Sequence, residues 1–182
     1  MNSNGKIKIL HLQTEINLTC GVTRTISQII KYTFQDFEHH LITLGGDGIK
    51  RFTDFGFNPV FLNIKRNSFI GTVKIFLALA RFCKNNSIQV VHSHHRYFDT
   101  IFWLIQLFYP IKTITSVHSK VLGKKLFSYK ADILIACSNT IRAHLIKNFK
   151  VPQNKIQVIH NSTESVYLNL MRSKEEILSE LN

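Results

Sequence analysis

The sequence lacks any uninterrupted apolar run of the ~18 residues that a membrane-spanning helix needs. The nearest candidate, Ile101–Tyr109, is bounded by Asp99 and Pro110. The first six residues also lack the charged-then-apolar layout of a secretory signal. From these absences we expect a chain that neither spans a membrane nor is secreted, and therefore a cytoplasmic one.

Cysteine is scarce, with three residues at positions 20, 83 and 137. An odd number without metal-ligand spacing excludes a disulfide scaffold and a cysteine-based zinc site. Cys20, Cys83 and Cys137 are therefore expected to be reduced thiols, as is usual in the cytoplasm.

Acidic residues are few, with 11 Asp and Glu against 23 Lys and Arg, for a formal net charge of +12 and a pI near 9.8. A surface of this charge attracts anionic lipid, nucleic acid or phosphorylated ligands. Charge alone does not choose among the three. Because no familiar nucleic-acid-binding motif occurs, we expect no nucleic acid partner.

The 182 residues, 45% of them hydrophobic, are enough for one packed domain. Along the chain, β-branched runs alternate with segments of helical periodicity. Strands are predicted over Lys6–Leu12, His40–Leu44, Pro59–Ile64, Ile88–His92, Thr113–Val117, Ile133–Ala136 and Lys155–Ile159. Helices are predicted over Gly21–Phe34, Phe69–Cys83, Phe98–Phe108, Val121–Tyr129 and Asn139–Phe149.

Several of these strands are apolar on both faces, as in Ile133–Ala136. This pattern is typical of a parallel sheet that is covered by helices on both sides. Right-handed crossovers then predict an α/β fold: a Rossmann-like, doubly wound, mainly parallel sheet in a single domain. In the helix over Phe69–Cys83, we expect Phe69, Val73, Phe76, Ala80 and Cys83 to form the buried face.

Polar residues cluster directly after the predicted strands, where ligands bind in such sheets. The segments concerned are Cys20–Thr23, His92–Arg96, His118–Lys120, Cys137–Asn139 and His160–Ser162. This clustering predicts a binding site along the carboxyl edge of the sheet.

Each candidate residue also has a purely structural interpretation. Gly21 either relieves crowding or lets a phosphate approach the start of a helix. His92, His94 and His95 have no fourth ligand at suitable spacing, which favours buried and cleft-facing imidazoles over a zinc site, so we expect no metal. His118 is either a hydrogen-bonded strand-end residue or a catalytic group, and Ser138 is first of all a helix N-cap.

Four motifs resemble the N-terminal, acceptor-side domain of family 4 glycosyltransferases, which are retaining enzymes of the GT-B class. The motifs are Cys20–Arg24, Val90–His94, Thr115–His118 and Ala131–Ser138, in the family's order. The resemblance covers residues 6–165, approximately the predicted domain of residues 1–165. Cys20 and Ser162 stand where the family usually has glycine, and Glu164 where it has aspartate.

The resemblance implies transfer of a sugar from a nucleotide-sugar to a glycan acceptor, expected to be lipid-linked, as in polysaccharide biosynthesis. It assigns Gly21 and Arg24 to the diphosphate, His118 to catalysis, and His94, His95 and Ser138 to the acceptor. The nucleotide-sugar is a substrate, and no cofactor or metal is expected. A basic face suggests a peripheral position on the anionic inner membrane surface.

The family's second domain, which binds the donor, has no counterpart in the sequence. Residues 166–182 resemble the linker helix that leads into it. The chain alone is therefore expected to be inactive, with a missing donor domain or partner chain as its complement. The alternative is a non-catalytic Rossmann-like module that binds a phosphorylated ligand or anionic lipid.

Overall fold

Seven parallel strands form one sheet in the computed structural model, which describes residues 5–66, 68–123 and 125–161. In chain order they are β1 (Ile7–Gln13), β2 (Phe37–Thr43), β3 (Val60–Phe61), β4 (Val90–Ser93), β5 (Lys112–Val117), β6 (Ile133–Ala136) and β7 (Ile156–Val158). Their spatial order is β3-β2-β1-β4-β5-β6-β7, and every neighbouring pair is parallel. The predicted fold class is confirmed, since the sheet is wound in both directions from β1.

Five α-helices connect these strands within the described residues: α1 (Gly21–Thr33), α2 (Lys50–Thr53), α3 (Phe69–Asn86), α4 (Arg96–Ile105) and α5 (Asn139–Phe149). The helix predicted over Val121–Tyr129 is wrong, because only a 3₁₀ turn forms there, over Lys125–Phe127. Gly123 and Tyr129 both adopt positive φ angles, of 77° and 62°, which a continuous α-helix does not allow.

The predicted strands all occur, and their boundaries shift by a few residues. The largest differences are at β2, which begins three residues earlier than predicted, and at β3, which keeps only Val60 and Phe61. β3 lies at the edge of the sheet and pairs with β2 alone. An edge strand forms ladder hydrogen bonds with one neighbour only. Extending it therefore gains fewer hydrogen bonds, and the apolar residues around it do not lengthen it.

Apolar residues fill both faces of the sheet, as the two-sided hydrophobic strands predict. On β2, Leu41 packs with Ile26 and Ile30 of α1, whereas the next residue, Ile42, packs with Ile75 of α3. Successive strand residues point to opposite faces, so these two neighbours belong to different layers. A third cluster around Leu134 and Leu145 joins the far end of the sheet to α5.

Helix α3 buries its predicted face only in part: Cys83 is buried and Phe76 and Ala80 pack half-buried against the core, but Phe69 and Val73 are exposed. Gly71, Ile75, Leu79 and Cys83 face the core, whereas Phe69 is 84% exposed. The helix carries two apolar stripes at helical spacing, and periodicity alone does not distinguish them. As a result, α3 presents apolar side chains to its outer surface.

No helix within the described ranges is both long and apolar enough to span a membrane. The predicted linker of residues 166–182 and the turn at Ser162–Glu164 lie outside the described residues.

Candidate functional site

A cavity of about 320 Å³ lies at the carboxyl edge of the sheet, beside the point where the strand order reverses. β1 continues to β2 on one side and pairs with β4 on the other, which opens a crevice above these strand ends. The lining residues come from the ends of β1, β4 and β5 and from nearby loops: Gln13, Val22, Arg66, His94, His95, Arg96, Ser116, Val117, His118, Ser119, Val121 and Tyr129.

Three predicted site residues, His94, His95 and His118, line this cavity together. Gly21, Arg24 and Ser138 also lie beyond strand ends at the same edge of the sheet, but they are not among its lining residues. The structure thus places the three histidines around one cavity. Gly21, Arg24 and Ser138 lie at the same edge of the sheet, outside that cavity.

Gly21 is the first residue of α1 and is exposed. A Cβ atom built on it would meet no other atom within 4 Å, so crowding does not explain a glycine here. The preceding Cys20 makes no side-chain cap at this helix start. Val22, the next residue, reaches the cavity, so the amino end of α1 lies beside it.

Ser138 caps α5, as its sequence position predicts, and its Oγ accepts a hydrogen bond from the Ile141 backbone N–H at 3.2 Å. Arg24, by contrast, is half-buried on the first turn of α1.

His95 is the N-cap of α4, and its Nδ1 accepts a hydrogen bond from the Tyr97 backbone N–H at 3.1 Å. Because Nδ1 accepts, the ring proton of neutral His95 is on Nε2. Burial, followed by the positive charges of Arg66 and Arg96, lowers the pKa of His95. The ring is therefore neutral near pH 7 and offers an N–H to its surroundings.

His94 is 5% exposed, so only a small part of its ring reaches the cavity. It lies between His118, with Nδ1 3.5 Å from His118 Nε2, and His11, with Nε2 3.4 Å from His11 Nδ1. Burial, and then the neighbouring histidines, hold the pKa of His94 well below its usual range. His94 thus contacts other imidazoles more than it contacts the cavity.

His92 and Ser116 connect β4 to β5 beneath the cavity, with His92 Nε2 2.8 Å from Ser116 Oγ. Burial, and then the positive form of His118, lowers the pKa of His92 to about 3. Burial also lowers the pKa of His118 itself. Near pH 7 these imidazoles are all neutral.

Three buried imidazoles, those of His11, His92 and His94, each place one nitrogen within 4.8 Å of the other two. No other group of three or more possible metal ligands occurs in the described ranges. The trio weighed from sequence contained His95 instead of His11, but His95 turns to cap α4 while His11 enters from β1. The expectation that no metal is required stays a prediction.

Arg66, which sequence reasoning missed as a site residue, lines the cavity and two others beside it. One, of about 310 Å³, runs over the ends of β1, β2 and β3. The other, of about 800 Å³, lies against α4 and is lined by Arg96, Tyr97, Leu104 and Phe127 among others. Arg66 follows an edge strand in a segment without periodicity, so no sequence signal marked it.

Gln13, at the end of β1, is 7% exposed and lines the cavity. Its Oε1 atom has no hydrogen-bond partner among the described residues. An amide oxygen that is buried without a partner is costly. A hydrogen-bond donor on a ligand in the cavity would give this oxygen its missing partner.

The Glycosyltransferase Family 4 sequence profile matches residues 19–164, which covers every strand end described above except that of β1. The chain belongs to Glycosyltransferase Family 4. The resemblance read from Cys20–Arg24, Val90–His94, Thr115–His118 and Ala131–Ser138 is thereby confirmed. A comparison with curated proteins gives no match.

Solved structures share the fold of this family 4 domain at low sequence identity. A glycosyltransferase from Rickettsia africae superposes with a TM-score of 0.75 at 18% identity over 96% of this chain. The lipopolysaccharide outer core galactosyltransferase WaaB gives 0.71 at 17% over 87%, and Anabaena HepE in complex with UDP-glucose gives 0.71 at 13% over 96%.

The family 4 domain spans about half the length of these proteins, covering 48%, 46% and 48% of the Rickettsia glycosyltransferase, WaaB and HepE chains respectively. Its single parallel sheet corresponds to one half of the two-domain GT-B fold. The fold likeness by itself does not specify a reaction.

Proposed function

We propose that this domain is the acceptor-side half of a glycosyltransferase that moves a sugar from a nucleotide-sugar to an acceptor hydroxyl, with retention of anomeric configuration. The observation that supports this most is the cavity at the strand-order reversal. It is lined by His94, His95, His118, Arg66 and Arg96, and none of its lining residues is acidic. Such a surface fits a ligand that carries negative charge.

Transfer from a nucleotide diphosphate requires stabilisation of the leaving diphosphate more than a pair of carboxylates. The exposed backbone of Gly21 at the start of α1 and the Arg24 side chain near it are assigned to this diphosphate. HepE, a structural neighbour, was crystallised with UDP-glucose, which supports a UDP-sugar as the first donor to test. No metal or other cofactor is required in this proposal.

His118 is assigned to the reacting sugar. It is half-buried at the end of β5 and lines the cavity, and burial keeps its imidazole neutral near pH 7. A neutral imidazole is suited to hydrogen bonding with a sugar hydroxyl. His95 and His94, which line the cavity, and Ser138, which follows β6 at the same edge of the sheet, are assigned to the acceptor in this proposal.

The acceptor is proposed to be a lipid-linked glycan of surface polysaccharide assembly. The cavity of about 800 Å³ against α4 combines apolar side chains, Leu104 and Phe127, with the cationic Arg66 and Arg96. This combination suits a molecule with an acyl or prenyl part next to a phosphate. WaaB, another neighbour, acts on lipopolysaccharide outer core, an acceptor of the same amphiphilic kind.

The outer surface of α3 supports a peripheral position on the cytoplasmic membrane face. Phe69 is 84% and Ile70 68% exposed, and the cations Lys65, Arg66 and Lys74 flank them. Exposed apolar side chains close to cations bind anionic bilayers through both insertion and charge.

The first experiment measures transfer from UDP-glucose and other UDP-sugars to a lipid-linked acceptor, for the chain alone and for the chain joined to a family 4 donor domain. Transfer only in the joined protein is the expected result, because residues 1–182 correspond to one half of the GT-B fold. Transfer by neither protein, with every donor and acceptor tested, would contradict it.

The second candidate is a non-catalytic module that binds a phosphorylated ligand or anionic lipid. The same cavity favours it, because its lining contains cationic residues and no acidic one. Calorimetric titration with UDP-glucose, inorganic phosphate, and vesicles with and without phosphatidylglycerol separates the two. Tight binding to phosphate or vesicles, combined with no transfer by the joined protein, would favour this module.

A further inference from the structure

A row of imidazoles crosses the sheet from β2 to the end of β5, where it ends at His118. Starting from β2, His39 Nδ1 lies 3.0 Å from His11 Nε2, and His11 Nδ1 lies 3.4 Å from His94 Nε2. His94 Nδ1 then lies 3.5 Å from His118 Nε2. The first contact is a short hydrogen bond, and the next two are long ones. We name His39, His11, His94 and His118 the imidazole row.

Thr33, the last residue of α1, sets the direction of this row. Its Oγ1 lies 2.6 Å from the carbonyl oxygen of Ile29, which can only accept, so the hydroxyl proton of Thr33 points there. The same Oγ1 lies 2.9 Å from His39 Nε2. With its one proton used, Thr33 can only accept from His39, and His39 must carry its ring proton on Nε2.

Each following ring is then determined by the one before it, since a neutral imidazole has one N–H and one lone pair. The lone pair on His39 Nδ1 accepts from His11 Nε2–H. In turn, the lone pair on His11 Nδ1 accepts from His94 Nε2–H, and that on His94 Nδ1 accepts from His118 Nε2–H. Burial lowers the pKa of all four histidines, which keeps the row neutral near pH 7.

We infer that Thr33, His39, His11 and His94 are positioning residues that hold His118 in the Nε2–H tautomer, so that its Nδ1 lone pair is presented to the cavity. On the proposed function, His118 therefore accepts a hydrogen bond from a sugar hydroxyl and does not donate one. If every ring proton were on Nδ1 instead, the hydrogen bonds between the imidazoles would all still form. His39 Nε2 would then have no proton to donate to Thr33. Thr33 therefore decides a property of a residue 85 positions away in the chain.

The test is long-range proton–nitrogen NMR of the full chain labelled with ¹⁵N, in which protonated and unprotonated ring nitrogens resonate far apart. We expect one tautomer, Nε2–H, at His39, His11, His94 and His118. Thr33→Val removes the hydroxyl acceptor and nearly keeps the side-chain shape, so that only the backbone of residue 33 still contacts His39, and a mixture of tautomers should appear at His118. Thr33→Ser keeps the hydroxyl and should restore the single Nε2–H state.

An Nδ1–H tautomer at His118 in the unchanged chain would overturn the inference, and so would a His118 signal that is the same in Thr33→Val and Thr33→Ser. Because no step uses a donor or acceptor sugar, failure here is distinguishable from failure of the proposed function.

Discussion

Asp99 Oδ1 accepts a hydrogen bond from Thr115 Oγ1 at 2.9 Å, which joins α4 to β5 beneath the cavity. The same carboxylate accepts from the backbone N–H groups of Lys130 at 3.0 Å and Ala131 at 3.1 Å. Asp99 is only 2% exposed, and burial raises its pKa while these hydrogen bonds oppose that change. One acidic side chain thus holds together three segments that support the site.

Asp99→Ala is expected to lower the free energy of unfolding by about 3 kcal/mol, because it leaves buried donors without an acceptor. Asp99→Asn should cost less, since its amide oxygen replaces one of the two acceptors. Urea unfolding followed by circular dichroism measures both. Asp54→Asn, at an exposed position, is the control and should change little. An Asp99→Ala variant as stable as this control would show that the carboxylate does not hold the three segments together.

The carbonyl oxygen of Ile16 occupies the space where a side chain at Gly46 would begin. Gly46 also has a φ of +114°, which residues with a Cβ rarely adopt. Gly46→Ala should therefore destabilise the chain by more than 2 kcal/mol, roughly the cost of strain plus displaced backbone.

Gly56→Ala is the matched comparison for Gly46→Ala. Gly56 has a φ of +80° but open space around its Cβ position, so it reports the conformational cost without the collision. In thermal unfolding, Gly46→Ala should have a clearly lower melting temperature than Gly56→Ala. Equal melting temperatures would show that the loop yields to the collision.

Stability is expected to fall steeply as the pH drops below about 6.5, the ordinary pKa of histidine. Burial lowers the pKa of His11, His92 and His94 in the folded chain, with His92 at about 3. Between these values the unfolded chain binds protons that the folded chain does not, so acid favours unfolding. Each such histidine contributes a slope of about 1.4 kcal/mol per pH unit.

Urea unfolding at pH 7.5, 6.5, 5.5 and 5.0 measures this slope. His92→Asn should reduce this slope by about the contribution of one group. A free energy of unfolding that is constant from pH 7.5 to 5.0 would mean that these imidazoles bind protons as readily in the folded chain as in the unfolded one.

His118→Ala is expected to reduce transfer by at least about 100-fold in the protein joined to a donor domain, as loss of a transition-state hydrogen bond does. His40→Ala removes an imidazole that packs on Phe82 and does not line the cavity, so it is the control and should retain turnover. Initial rates at saturating donor and acceptor give kcat directly. Near-normal turnover of His118→Ala would remove its proposed catalytic role.

Arg66→Gln should weaken the binding of UDP-glucose or of vesicles containing phosphatidylglycerol by about tenfold, because Arg66 lines all three cavities at the carboxyl edge. Lys155→Gln removes the same charge immediately before β7, at the opposite edge of the sheet, and should not change binding. Calorimetry at two salt concentrations measures both. Equal losses in the two variants would show that net charge alone, and not this position, drives binding.

The amino-acid sequence by itself determined the class of fold and the edge of the sheet at which the polar residues collect. Two-sided apolar strands such as Ile133–Ala136 can be buried only in a sheet that is covered on both faces, and such a sheet is parallel. Strand ends in a parallel sheet share one edge, so the polar residues after each strand had to collect there. Local signals of this kind also placed the Ser138 cap and the boundaries of α5 correctly.

Tertiary structure alone decided which of two equivalent choices the chain makes. Both stripes of α3 are apolar, and packing against β2 and β4 selects Ile75 and Leu79 over Phe69. His39 and His11 give no local signal of a role, because their partners come from separate strands that only the sheet brings together. Arg66 likewise acquires its place between three cavities from the path of the chain around the sheet edge, which no periodicity in the sequence records.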